Sequence, residues 1–166
     1  MPSLSHPELR IELINMASAD QDLRLELVES GELHNHEYHP RMAELHMGNN
    51  ARFSEIIDEF GWPGPSLVGP AGADAAWLIA QHAVLDPPLQ RRCLALLEAR
   101  VKAGDGSPSQ LAYLTDRICI LEGRPQRYGT QHDWDDEGRM SPLPVEDPAQ
   151  VGERRAAMGL DRKSVV

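Results

Sequence analysis

Aromatic residues are scarce in this chain: Phe, Trp and Tyr together make up 5% of its 166 residues. A core without them must be built from Leu, Ile, Val, Met and Ala, a palette that suits helices packed on helices better than a sandwich of strands. Positive charge is also short, with 16 Lys and Arg against 26 Asp and Glu, a formal net charge of -10. That balance excludes nucleic acid and anionic membrane surfaces, both of which demand a basic face. No stretch approaches the ~18 apolar residues of a membrane span. The first residues, MPSLSHPELRIELIN, lack a basic region followed by an apolar run, so a cytoplasmic location is expected. Cysteine is limited to Cys93 and Cys119, each among apolar neighbours, which reads as two buried free thiols and not a disulfide framework. The GxxxxGK[ST], GxGxxG, GxSxG and CxxC signatures are missing, which puts nucleotide-loop enzymes and serine hydrolases out of the front rank.

What is present is helical periodicity. An apolar content of 41% over this length supports one core, so a mainly α single domain over residues 1–160 is expected, with a loose tail at 161–166. The bundle should hold about six helices. Leu9, Leu13, Met16, Leu23 and Leu27 recur at helical steps from Pro7 to Gly31, and Met42, Leu45, Phe53, Ile56, Ile57 and Phe60 do so from Pro40 to Gly61. The Gly- and Pro-rich GWPGPSLVGP at 61–70 reads as an ordered loop anchored by Trp62, with Asp74 as the cap of a third helix running to Val84. Leu89, Cys93, Leu94, Leu97 and Val101 mark a fourth helix. A fifth follows the Ser107-Pro108 cap and carries Leu111, Leu114, Ile118 and Leu121. From Pro125 the period shortens to two, so a small β-hairpin is expected near residues 126–145, and Asp147-Pro148 opens a last helix.

Polar residues interrupt these apolar faces. Asp20 lies four residues after Met16 and three before Leu23, so its carboxylate points inward and needs a partner. His82 shares a face with Ala75, Leu78 and Ile79. A lone histidine so placed is ordinarily satisfied by a backbone carbonyl, but its neighbours supply similar anomalies. Asp116 and Arg117 interrupt the apolar AYLTDRICIL, where a structural ion pair is the plain alternative. Gln126, Tyr128, Thr130 and Gln131 follow; in the plain alternative the two glutamines tie strand edges to helix ends. With Gln21, Arg24 and Gln81, four separated segments each offer unusual polar groups, and convergence on one pocket explains them economically.

A second cluster is the histidine run. His34, His36, His39 and His46 are close in sequence, and imidazole is the commonest ligand of zinc. The pattern HNHEYH is not HExxH and lacks the aspartate of HxHxDH. No metal or other cofactor is therefore expected, a divalent ion on His34, His36 and His39 being the alternative.

The segments GWP at 61–63, WLIAQHA at 77–83, AYLTDR at 112–117, EGRPQRYGTQ at 122–131, RRAAMGL at 154–160 and DQDLR at 20–24 together resemble an uncharacterised bacterial domain-of-unknown-function family, family 6624. The resemblance covers nearly the whole chain and implies that the polar positions above belong to the family's motifs; it supplies no activity. Two functions compete. The first is a metal-independent hydrolase or transferase for a small molecule, with His82 as general base, Asp20 or Asp116 orienting it, Arg24 or Arg117 holding an anionic group, and Gln21, Gln81, Gln126, Tyr128, Thr130 and Gln131 reading the substrate. The second is a non-catalytic binding module whose polar network is structural.

Overall fold

The computed structural model describes residues 5–33 and 38–161. Six α-helices and one small antiparallel hairpin make up the described chain, a mainly α architecture: α1 (Pro7–Glu29), α2 (Pro40–Phe60), α3 (Pro65–Gln81), α4 (Pro87–Lys102), α5 (Pro108–Leu121), β1 (His132–Trp134), β2 (Met140–Pro142) and α6 (Val151–Ala157). They are organised as two compact units that divide after Arg100, in the last turn of α4. No helix among the described residues is long and apolar enough to cross a membrane.

In the first unit α1, α2 and α3 pack on one another. The buried stripe of α1 is Leu9, Leu13, Ala17, Asp20 and Leu27; Met16 and Leu23, expected in it, are only half-buried because the stripe drifts toward Ala17. The stripe of α2 is Met42, His46, Asn50, Phe53, Ile56 and Ile57, so two polar residues lie among the apolar ones. Proline starts five of the helices, where its missing N–H and fixed φ cost nothing. Helix α3 corrects the sequence reading at its start. Residues 65–68 already form a helical turn, Gly69 breaks it at φ 71°, and Pro70 restarts it. Asp74 is thus an exposed residue inside α3 and not its cap. Trp62 is buried as expected and meets Phe53 edge-on, with ring centroids 6.1 Å apart. Gly72 must be small: a Cβ there would stand 2.7 Å from Cβ of Val68 and 3.3 Å from Cγ of Arg10.

In the second unit Ser107 caps α5 by accepting a hydrogen bond from the Gln110 N–H at 3.3 Å, as its sequence indicates. The hairpin pairs His132 with Pro142, Asp133 with Ser141 and Trp134 with Met140. Its first strand begins later than the sequence period suggests. Gln126 makes an isolated bridge to Val145, and residues 127–131 are a loop. Asp147 takes a left-handed conformation (φ 48°) ahead of a 3-10 turn, Pro148–Gln150, which leads into α6 without a side-chain cap.

Candidate functional site

Most of the residues expected to matter fall into two networks, one inside each unit, and Arg24, Gln81 and Arg117 stand outside them. In the first unit Asp20 is 2% exposed, on the inner face of α1. Its Oδ2 accepts two hydrogen bonds, from Nε2 of His46 at 2.5 Å and from Nδ1 of His82 at 2.7 Å. The three ligand-type atoms come from α1, α2 and the residue that caps α3, and all lie within 4.8 Å of one another. The two imidazole centroids are 5.2 Å apart. Beyond them, Oδ1 of Asp20 accepts from the Gln21 amide at 3.1 Å, and Nδ1 of His46 is hydrogen-bonded to the Tyr38 hydroxyl. Burial alone would raise the Asp20 carboxyl, but the bonds from His46 and His82 outweigh it and hold the group well below the usual carboxylate range. The His46 ring is nearly enclosed, with 7% of its side chain exposed, while 21% of His82 reaches solvent. Solvent therefore approaches the trio from His82.

His46 is the member that sequence reasoning missed. In sequence it belongs to the histidine run, yet it sits four residues after Met42 and seven before Phe53, on the buried stripe, the same signal that marks His82. Of the alternative metal residues, His34 and His36 lie outside the described residues. His39 caps α2, its Nδ1 accepting from the Arg41 N–H at 3.2 Å. Gln21 and Arg24 are exposed on α1, and Gln81 is buried just before His82 with its amide nitrogen lacking a hydrogen-bond partner. A cleft of about 510 Å³ opens at the start of α1, lined by residues that include Glu8, Glu12, Arg52, Glu59 and Phe60; no member of the trio lines it.

In the second unit Asp116 is fully buried and its oxygens are occupied by a loop. Oδ1 accepts from the backbone N–H of Arg127 at 2.7 Å and of Tyr128 at 3.0 Å. Oδ2 accepts from the Thr130 N–H at 3.0 Å and its hydroxyl at 2.9 Å. The carbonyls of the same loop are gathered by cations of α6: Arg154 donates to the Arg127 oxygen at 2.8 Å and Arg155 to the Tyr128 oxygen at 2.7 Å. Gln126, also fully buried, donates to the carbonyls of Gln131 and Leu143 at 2.8 Å each and accepts from the Gln131 N–H at 2.8 Å. The Gln131 amide donates to the Thr130 hydroxyl at 3.1 Å, the Tyr128 ring lies 5.9 Å from the Arg127 guanidinium carbon, and Arg117 is half-buried on α5.

The sequence profile of one family matches residues 7–164, nearly the whole chain. The chain belongs to DUF6624, a family of unknown function. No curated protein and no solved structure is detectably similar to it. DUF6624 brings no assigned residue or reaction, so the chemistry of this member rests on the two networks. They differ in what holds the central carboxylate. Asp116 meets three backbone N–H groups and a hydroxyl of one loop, whereas Asp20 meets two imidazoles from other segments, side chains of a type that also ligates metals.

Proposed function

We propose that this DUF6624 chain is a small-molecule hydrolase or transferase whose reaction is centred on Asp20, His46 and His82. The observation that carries this reading is the sharing of one buried carboxylate oxygen by imidazoles from two other segments, with one ring reaching solvent. A purely structural aspartate is satisfied by any donors, as Asp116 is by backbone amides. Two histidines on one oxygen make instead a group that orients an imidazole and takes part in proton transfer or cation chemistry. In this reading a water molecule, or an acceptor hydroxyl of the substrate, is activated at the trio. His82 is the member that meets it, and Asp20 fixes the ring. Arg24 lies one turn beyond Asp20 on α1 and is exposed, which suits it to an anionic part of the substrate.

Asp116, Gln126, Thr130 and Gln131 take a different role in this reading. They hold the 126–131 loop, because each of their hydrogen bonds described above ends inside the second unit. The test is a screen of the purified chain against small esters, amides and phosphoesters, run beside His82→Ala. Turnover that disappears in His82→Ala, with the helical circular dichroism retained, supports the reading. Equal turnover in both proteins overturns it.

A further inference from the structure

We propose that Asp20 Oδ2, His46 Nε2 and His82 Nδ1 are the protein ligands of a single divalent transition-metal ion, zinc being the best match. The inference rests on the proposed reaction at the same trio and names its cofactor: with an ion bound, His82 and Asp20 act as ligands, and the ion takes over the activation of the water. Its first support is convergence: α1, α2 and the end of α3 each contribute one ligand-type atom, and the three atoms lie within 4.8 Å. Two nitrogens and one carboxylate oxygen are the donors that zinc and non-haem iron accept, whereas calcium and magnesium prefer oxygen alone.

The second support is the outer ring of partners. A metal-bound histidine usually has its other nitrogen hydrogen-bonded, and a metal-bound carboxylate is steadied through its second oxygen. Here the Tyr38 hydroxyl meets Nδ1 of His46 and the Gln21 amide donates to Oδ1 of Asp20. The third support is access. Asp20 and His46 are closed in, while His82 is exposed on one side, which leaves coordination positions for water or substrate. Without an ion, protons on the two nitrogens fill the contact with Asp20. With an ion, each proton moves to the other nitrogen of its own ring, Nδ1 of His46 and Nε2 of His82, so the charge of the rings is unchanged. An ion at about 2.0 to 2.2 Å from each atom needs more room than the hydrogen-bonded contacts of 2.5 and 2.7 Å leave, so the carboxylate draws back and the rings adjust to admit it. Bound water would then be acidified by the ion, which supplies the nucleophile that a trio without Ser or Cys lacks.

The competing ligands are in the sequence itself, at His34, His36 and His39. The full chain, stripped with a chelator, is therefore titrated with Zn²⁺ against a chromophoric competitor, with Mg²⁺ as comparison. The expected result is one Zn²⁺ per chain, an affinity lowered at least about a hundredfold in His82→Ala, and no change when His34, His36 and His39 are replaced together by Asn. If His82→Ala does not fold, imidazole ¹⁵N shifts of the native chain decide: zinc must shift Nε2 of His46 and Nδ1 of His82. No zinc binding, equal affinity in His82→Ala, or binding lost with the three-histidine variant overturns the site. Turnover without bound metal would remove the metal and leave the hydrolase; metal bound without turnover on any substrate would do the reverse.

Discussion

Asp20 and Asp116 are both carboxylates within apolar helical stripes, both are almost completely buried, and each accepts hydrogen bonds on both oxygens. What surrounds them differs in kind. Asp116 faces three backbone N–H groups and a hydroxyl, whose positions are set by the chain and whose protonation never changes, so it works as a staple for a loop. Asp20 faces two imidazoles from other segments, one of them partly exposed, and the proposed reaction rests on that difference. Burial of an acid is therefore no guide to function until its donors are known.

The comparison can be broken by mutation. Asp116→Ala leaves four donors without an acceptor in a buried place and should cost about 3–5 kcal/mol in urea unfolding; a loss below ~1 kcal/mol would mean that the loop holds itself. Gln126→Ala removes three hydrogen bonds at a fully buried position and should cost about 2–4 kcal/mol, smaller because three buried groups lose a partner where Asp116→Ala strands four. His82→Ala touches a partly exposed ring and should cost no more than about 1–2 kcal/mol while abolishing turnover and weakening zinc binding at least about a hundredfold. A larger stability loss with unchanged chemistry would move the Asp20 network into the same class as that of Asp116.

Two gentler measurements sharpen the contrast. The Asp20 carboxyl is lower in the folded chain than in the unfolded one, so in the metal-free protein its contribution is complete above the unfolded value of about 4 and is lost as pH falls below it. The acid limb of an unfolding-versus-pH curve should flatten in Asp20→Asn; an unchanged limb would show that other carboxyls govern it. Each unit also carries one buried thiol, with Cys93 pushed up to about 12 and Cys119 raised, both by burial. Native labelling by a thiol reagent should be slow at both. Asp116→Ala should speed it at Cys119, which lies in the same helix, and a selective gain at Cys93 would contradict the staple.

Much of this was legible in residue order because helices announce themselves locally. Proline at the first position marked α1, α2 and α5, a three-to-four spacing marked these and α4, and the same spacing turned Asp20 inward. The start of α3 was not legible. A proline and a glycine inside a short window normally end a helix, but here Gly69 takes a positive φ that lets one helical turn stack ahead of the next. The hairpin lies within residues 126–145 as its sequence suggests, but its first strand begins at His132, because the alternation from Gln126 to Gln131 comes from a loop wrapped on Asp116 and not from a pleat.

The chain by itself determined that helices would form, where most of them begin, and that Asp20 and His82 would face inward, since these depend on periodicity and caps within a few residues. Tertiary structure alone decided who meets whom. Asp20 met His46, 26 residues away, and His82, 62 residues away, and Asp116 met the amides of its own loop. The reason is physical: a spacing rule says which side of a helix a residue occupies, but the partner on the other side is chosen by how the helices pack, and that is a property of the whole fold.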